Sequence, residues 1–153
     1  MSGDEAEAYR YLIADVEELA GLSRERHQRL AARHGQSVAR WHVLAVIAQE
    51  PATVPGIASR LGLTRQSVQR VVDDLSRELL AEKVRNPRHR SSPLVAPTDA
   101  GRRLLANLAA DAEDEHLALL ATGGVQRREL LAARQTIRSL LALLRMEDSD
   151  ARP

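Results

Sequence analysis

The residues with the most distinctive chemistry lie in one short segment near the middle of the 153-residue chain. Gln and Arg side chains can each make a pair of hydrogen bonds to the edge of a DNA base, Gln to adenine and Arg to guanine. Gln66 and Arg70 are four residues apart, so they share one face of a helix, with Gln69 beside them. Polar groups that can bind phosphates near the start of such a helix come from Thr64, Arg65 and Ser67. The segment therefore suits the major groove of double-stranded DNA.

A basic loop follows, bounded by Pro87 and Pro93. No acidic residue lies between Lys83 and Ser92, which favours contact with a polyanion. The residues predicted to contact DNA here are Arg85, Arg88, His89 and Arg90. Arginine in a narrow minor groove would read DNA shape, whereas arginine at a phosphate would only position the protein, and the sequence leaves both open. We interpret His89 as a polar loop residue and not as a metal ligand.

Charge and composition restrict the function further. The net charge is +1, but residues 1–20 hold six acidic residues and one basic residue, whereas residues 60–90 hold eight basic and four acidic residues. The middle of the chain is therefore the candidate surface for a polyanion. The absence of cysteine excludes disulfides, cysteine metal sites and thiol catalysis. Only 2% of the residues are aromatic, which argues against the stacking platforms that hold single-stranded nucleic acid.

Hydrophobic periodicity predicts the elements that position these residues. Ser37 is predicted to cap a helix that ends at Glu50 and Pro51. Thr53 caps a short helix that ends at Gly62, Thr64 caps the next helix, and Thr98 caps a long helix further on. The second of these helices has one apolar stripe, formed by Val68, Val71, Val72, Leu75 and Leu79. Two helices joined by a glycine-containing turn of about three residues have helix-turn-helix spacing. Residues 81–85 and 94–96 can pair as antiparallel strands, with the basic loop between them.

Long amphipathic helices are predicted at both ends of the chain. One lies within residues 1–36, and two more span residues 98–146, separated at Gly123 and Gly124. The first helix cannot cover the leucine stripes of the last two and also pack on the central segment. A second copy of the chain would cover them in a two-fold dimer, and an intramolecular helical bundle is the alternative. Residues 147–153 are predicted to be a loose tail.

This order of elements, with the stretches PGIASRLGLTRQSVQRVVDDL and KVRNPRHRSSPLVAPTDAGRRLL, resembles the MarR (multiple antibiotic resistance regulator) family of bacterial transcription factors. The resemblance covers essentially the whole chain. It implies a mainly α fold with a small β-hairpin wing, in which N- and C-terminal dimerisation helices flank a winged helix-turn-helix. The N-terminal helix would occupy residues 1–36, the DNA-binding domain 37–98 and the C-terminal helices 99–146. The family also implies a homodimer and repression relieved by a small ligand.

The chain departs from the family pattern in three ways. The recognition helix of the family corresponds to the helix that Thr64 caps. Leu79 and Leu80 stand where the family usually has glycine after this helix, so the turn into the wing needs another geometry or strain. Pro97 removes a strand donor at a position that is commonly leucine. Asn86 and His89 stand where acidic residues often brace the wing arginines. These departures concern the precision of the wing more than the fold.

The predicted function is that of a sequence-specific regulator of transcription that binds double-stranded DNA. It would act as a ligand-responsive repressor and homodimer on a pseudo-palindromic operator, without an enzymatic activity or a required cofactor. The identity of the effector cannot be read from the sequence. The family expectation is an effector pocket between the dimerisation helices and the winged helix. Trp41 or Tyr9 could line it, although core packing is the simpler explanation for each residue.

Two alternatives stay open. The winged helix of a helical dimer could bind protein instead of DNA. The scattered histidines could be gathered by folding into a metal sensor, although no metal site is predicted: His27, His34, His42, His89 and His116. No apolar run is long enough to cross a bilayer, and the first residues do not have the pattern of a signal peptide. We therefore expect a cytoplasmic protein without a membrane partner.

Overall fold

The computed structural model describes the backbone of residues 3–150 and the side chains of residues 3–146. Within this range the protein is mainly helical, with one two-stranded antiparallel hairpin, as the sequence predicts. The elements in chain order are α1 (Gly3–Arg33), α2 (Val38–Gln49), α3 (Val54–Leu61), α4 (Arg65–Arg77), β1 (Ala81–Val84), β2 (Leu94–Pro97), α5 (Asp99–Gly123) and α6 (Arg127–Asp150). The chain forms two compact units, and the boundary between Ala112 and Glu113 falls inside α5.

Side-chain caps set the starts of four helices at the predicted residues. The hydroxyl of Ser37 accepts a hydrogen bond from the third residue of α2, and the hydroxyls of Thr53 and Thr64 do the same for α3 and α4. Thr98 caps α5 in the same way. Each cap satisfies one backbone donor that has no partner inside its own helix. These local bonds place α3 and α4 in the predicted helix-turn-helix order, with Gly62 in the left-handed conformation between them.

The core of the first unit lies between α2, α3, α4 and the hairpin. Its fully buried side chains include Leu44 and Ile47 from α2, Ile57 from α3, and Val68 and Val72 from α4. Burying each such side chain contributes roughly 1.5–3 kcal/mol relative to leaving it exposed. Because one face of α4 is buried in this way, its opposite face is held toward solvent.

The hairpin is tied to the helices by its second strand. Ala81 pairs with Pro97 and Val84 pairs with Leu94 in the antiparallel register. Ala52, in the link between α2 and α3, exchanges two backbone hydrogen bonds with Val95 of β2, at N···O distances of 3.2 and 2.8 Å. Pro97 is buried at the end of β2, and a two-stranded sheet has only edge strands, in which a missing donor is tolerated.

The end of α4 corrects the predicted apolar stripe. Leu79 was expected to continue that stripe, but α4 ends at Arg77, and Leu79 is 74% exposed with a φ of 58°. The N–H of Leu79 donates to the carbonyl of Ser76, and the N–H of Leu80 donates to the carbonyl of Leu75. This pair of bonds is the Schellman ending of a helix, in which glycine normally takes the left-handed position. Left-handed geometry turns Leu79 away from the core, which periodicity alone could not indicate.

Thr98 and Gly101, at the start of α5, contact the turn at Leu79 and Leu80. The Thr98 hydroxyl donates to the carbonyl of Leu79 at 2.6 Å and accepts from the N–H of Gly101 at 3.1 Å. The Thr98 N–H donates to the carbonyl of Leu80 at 3.1 Å. A Cβ atom at position 101 would lie 2.0 Å from the Leu80 carbonyl oxygen, so only glycine fits there. The start of α5 therefore fixes the chain between α4 and the wing.

The terminal helices expose many apolar side chains. In α1 only Leu30 and Ala31 are buried, near its C-terminal end. In α6 none of the described side chains is buried, and its large exposed apolar residues are Leu130, Leu131, Leu141, Leu143, Leu144 and Met146. None of the described helices is long and apolar enough to cross a membrane.

The C-terminal tail differs from the prediction. A loose tail is predicted from residue 147, but α6 continues to Asp150, because no glycine or proline interrupts the helix before that point. The remainder of the predicted tail, residues 151–153, and the first two residues of the predicted N-terminal helix lie outside the described residues.

Candidate nucleic-acid interface

The predicted residues of α4 lie together on its outward face. Thr64 caps the helix, and its hydroxyl accepts a hydrogen bond from the N–H of Ser67 at 3.1 Å. The exposed residues of this face are Thr64, Arg65, Gln66, Ser67 and Arg70, while Gln69 is half-buried. The buried residues of α4 are on the opposite side. The first two turns of the helix therefore present donors and acceptors to solvent, as a helix in a DNA groove requires.

Of the three α4 residues predicted to contact bases, Gln66 and Arg70 are free of hydrogen bonds to the described residues, whereas Gln69 is not. Gln66 and Arg70 make no hydrogen bond or ion pair with any residue that the structure describes. Gln69 is engaged, because its Nε2 donates to Oδ1 of Asp73 at 2.8 Å. The Nζ of Lys83 in β1 lies 3.9 Å from the same carboxylate oxygen. Gln66 and Arg70 are thus ready to bond to an external partner, whereas Gln69 must first leave Asp73.

The wing loop is organised by one buried amide. Asn86 is 8% exposed, its Nδ2 donates to the carbonyl of Ser92 at 2.8 Å, and its Oδ1 accepts from the backbone N–H of Arg88 at 3.0 Å. Asparagine often closes a loop in this way by bonding to a backbone group two residues on. Asn86 therefore braces the base of the loop. The predicted wing residues are all exposed: Arg85, Arg88, His89 and Arg90.

A cleft of about 670 Å³ separates α4 from the wing. The residues that line it come from α3, α4 and the hairpin: Val54, Pro55, Arg65, Gln66, Gln69, Arg70, Lys83, Ser91, Ser92, Pro93 and Val95. The structure therefore brings four of the predicted α4 residues to one cleft. Lys83, which was not among the predicted DNA contacts, also lines this cleft.

The wing tip lines a different cleft. Arg88 and His89 face a space of about 530 Å³ together with Glu50, Thr53 and Arg60. Arg60 is fixed there, since its Nη2 donates to Oε1 of Gln49 at 2.6 Å. Six of the ten predicted contact residues thus line one of these two clefts on the first unit, and Thr64, Ser67, Arg85 and Arg90 line neither. Arg60 was not predicted as a contact, and its inclusion among the basic residues of positions 60–90 was the only signal in the sequence.

An ion pair anchors the far end of α4. The Nη1 and Nη2 atoms of Arg40 in α2 donate to Oε1 and Oε2 of Glu78 at 2.8 and 2.5 Å. These hydrogen bonds hold the pKa of the Glu78 carboxyl below its ordinary value, and the charges of Arg40 and Arg77 lower it further, while partial burial acts in the opposite direction. Glu78 is therefore ionised at neutral pH, and the pair joins two helices by two charge-assisted bonds.

The described histidines do not assemble a metal site. No three His, Asp or Glu side chains within residues 3–146 are placed to hold a metal ion together. His34 instead pairs with Asp111, with 2.8 Å between Nε2 and Oδ2, and the ring of His27 meets the ring of Trp41 edge-on at a centroid distance of 5.6 Å. Trp41 is half-buried and Tyr9 is exposed.

The comparisons with known proteins agree with this geometry. A family model described as MarR family matches residues 34–90, from the end of α1 to the wing tip. The chain is 47% identical over 131 residues to an uncharacterised protein of Mycobacterium tuberculosis, and the match covers 79% of this chain and 91% of that protein. Similar uncharacterised proteins come from a second strain of that species and from Mycobacterium bovis.

Two solved structures show the same fold at low sequence identity. The crystal structure of a MarR family transcription regulator has a TM-score of 0.85 at 23% identity and covers 97% of each chain. MarR from Staphylococcus aureus, in complex with salicylate and kanamycin, has a TM-score of 0.75 at 15% identity and covers 94% of this chain and 93% of its own.

Proposed function

Because the chain belongs to the MarR family of transcriptional regulators, we propose that it is a homodimeric repressor that binds double-stranded DNA sequence-specifically and responds to a small molecule. Its family places it among regulators of transcription and not among enzymes. The proposal includes no required cofactor, and it places the protein with its DNA in the bacterial cytoplasm.

The availability of Gln66 and Arg70 is the observation that carries the DNA-binding proposal. Both side chains project from the first two turns of α4 without a partner among the described residues. A helix that enters the major groove by its N-terminal end brings these positions to the base edges. Arg70 could bond to guanine and Gln66 to adenine, while Arg65 and the capped helix N-terminus contact phosphates. Arg88 on the wing supplies a further contact outside the major groove.

The exposed leucines of α6 support the dimer. Monomeric proteins rarely expose large contiguous apolar patches, and such patches mark surfaces that another molecule covers. A two-fold dimer would present two copies of α4 to one face of the DNA. Half-sites would then be centred roughly 10 bp apart, or a multiple of that, on a pseudo-palindrome.

Ligand response is proposed from the structural relatives. The S. aureus MarR structure holds salicylate and kanamycin, and CouR from Rhodococcus jostii is bound to p-coumaroyl-CoA. In this chain Trp41 is half-buried and its ring contacts that of His27, so a pocket at α2 would have an aromatic residue beside it. We propose an effector site on this side of α2.

The test is fluorescence-anisotropy binding to duplex fragments from around the protein's own coding region, at two salt concentrations and with excess unlabelled competitor. A regulator that neutralises several phosphates should bind tightly, resist competitor and lose affinity steeply as salt rises. Weak binding that competitor abolishes, followed by a selection from random duplexes that yields no preferred sequence, would contradict the proposal. That outcome would favour a winged helix that binds protein.

Substitutions separate base contacts from phosphate contacts. We expect Arg70→Ala or Gln66→Ala to cost about 1–3 kcal/mol at the matching base pair and to relax base preference there. Arg88→Ala should weaken binding to all sequences and lower the salt slope by about one. Arg24→Ala, which removes an exposed arginine of α1, serves as the control and should bind as the wild type does. Equal binding by the wild type and the three test variants would exclude this assignment.

A further inference from the structure

The ion pair between Arg40 and Glu78 connects the ends of two helices, α2 and α4. Arg40 is the third residue of α2, and its backbone N–H donates to the capping hydroxyl of Ser37. Glu78 is the C-cap of α4, and its backbone N–H donates to the carbonyl of Asp74. Both partners are therefore fixed through their backbones as well as their side chains. The pair joins the first turn of α2 to the last turn of α4.

Burial of Arg40 distinguishes this pair from two exposed ion pairs that each lie within a single helix. The Arg40 side chain is 15% exposed and that of Glu78 is 50% exposed, whereas the arginines that pair with Glu25 and Asp74 within single helices are about 70% exposed. The Nε of Arg40 is buried and donates to no group among the described residues. An unsatisfied buried donor costs free energy, and the largely buried guanidinium of Arg40 loses solvation. These costs argue that the pair contributes geometry more than stability.

The pair lies next to the turn that leads from α4 into the wing, because Leu79 follows Glu78. Leu79 adopts the left-handed conformation and starts the turn into β1, and the hydroxyl of Thr98 holds its carbonyl. Arg40 thus contacts the end of α4 at Glu78, and Thr98, which caps α5, contacts the next residue, Leu79. A shift of Arg40 would act directly on the point from which the wing leaves the recognition helix.

We propose that Arg40 and Glu78 are positioning residues that couple the orientation of α2 to the recognition helix and the wing. The inference rests on the proposed DNA-binding function, since α4 and the wing are its contact surfaces. Neither residue touches DNA in this proposal. Loss of the pair loosens the end of α4 and the turn at Leu79, and DNA affinity falls because the two contact surfaces no longer share one fixed arrangement.

The test combines single substitutions with a charge swap on the full chain, using a duplex that the wild type binds. Arg40→Gln and Glu78→Gln should each lower affinity about tenfold, and Arg40→Glu combined with Glu78→Arg should restore most of it. The matched controls are Arg29→Gln and Glu25→Gln, which break an exposed pair within α1 and should leave affinity within about twofold of the wild type. Arg40→Lys, which keeps the charge but not the two parallel hydrogen bonds, should fall between the wild type and Arg40→Gln.

Glu78→Gln gives the sharpest discrimination. Removal of a negative charge near DNA would by itself tighten binding, because the repulsion of phosphates decreases. The proposal predicts the opposite sign. Tighter binding by Glu78→Gln, affinities of both single variants within about twofold of the wild type, or failure of the swap to restore affinity would each overturn it.

Hydrogen exchange provides a readout that needs no DNA. The amides of Leu79 and Leu80 donate to Ser76 and Leu75, so their exchange reports the integrity of the turn. Both single variants should exchange faster at these two amides, while amides in the middle of α1 stay unchanged. Unchanged exchange at Leu79 and Leu80 would overturn the positioning role. If the wild type binds no duplex, the proposed function fails and the exchange rates alone decide this inference.

Discussion

At the scale of single residues, Leu79 shows how the chain tolerates strain. A leucine in the left-handed region crowds its Cβ against the carbonyl that follows, at a cost of roughly 1–2 kcal/mol. Burial of the side chain contributes little free energy to offset this cost, because Leu79 is mostly exposed. Hydrogen bonds from Thr98 to the carbonyls of Leu79 and Leu80 keep the turn in place.

Leu79→Gly should therefore stabilise the protein. Relief of the strain outweighs the extra freedom that glycine has in the unfolded chain, so we expect the free energy of unfolding to rise by about 0.5–1 kcal/mol. Urea unfolding at fixed protein concentration, with an unchanged m-value, measures it. Gly62→Ala is the matched reverse change, at a φ of 65° with open space around it, and should destabilise. A less stable Leu79→Gly variant would show that Leu79 makes a contact absent from this structure.

The sequence predicted the residues that act locally and missed those that act through the backbone. Ser37, Thr53, Thr64 and Thr98 cap helices as predicted, because a hydroxyl cap depends only on the few residues beside it. The exposure of Leu79 could not be predicted, because a period of 3.6 residues does not reveal where a helix turns left-handed. The resemblance marked the position as unusual, and the structure identifies the strain.

At the scale of elements, the wing depends on a single side chain for its shape. Asn86 bonds to the backbone at two points of the loop, and it is the polar side chain identified as buried among the described residues. The sequence predicted the hairpin and its arginines, but it identified Asn86 only as a residue in the place of an acidic one and did not predict its bonds to the loop backbone. Its burial depends on the packing of the loop, which no local pattern contains.

Asn86→Ala should loosen the wing without unfolding the domain. Two hydrogen bonds are lost, at about 1 kcal/mol net for each, and Arg88 loses the bond that fixes its backbone. We expect weaker binding to every duplex, as for Arg88→Ala, and faster amide exchange in the loop. Asn107→Ala replaces the other asparagine of the chain, which is exposed on α5, and should change neither quantity. Full affinity in Asn86→Ala would show that the loop does not need its brace to bind.

At the scale of the whole molecule, the two compact units differ in how well they cover their apolar residues. The first has a continuous core, whereas the described part of α6 in the second has no buried side chain. Sequence periodicity predicted these long amphipathic helices and their need for a partner. It could not predict the unit boundary after Ala112, because the helical pattern of α5 continues across it without a break.

A charge placed on the apolar stripe of α6 should separate the proposed dimer. Leu130 and Leu141 lie on one side of the helix by its periodicity, and both are exposed in the single chain. We expect Leu141→Glu to give monomers in sedimentation velocity and to weaken operator binding strongly, since both half-sites must be contacted together. Gln135→Glu adds the same charge on the other side of α6 and should remain dimeric. A dimeric Leu141→Glu variant with full affinity would place the interface elsewhere.

Lys83 gives the molecule one further property. It is the only lysine of the chain, it is about half exposed, and it lines the cleft between α4 and the wing. Reagents that modify primary amines therefore have a single side-chain target, and that target lies between the two surfaces proposed to contact DNA. A fluorophore or cross-linker attached there would report on whatever enters the cleft, with every arginine of the interface left in its native form.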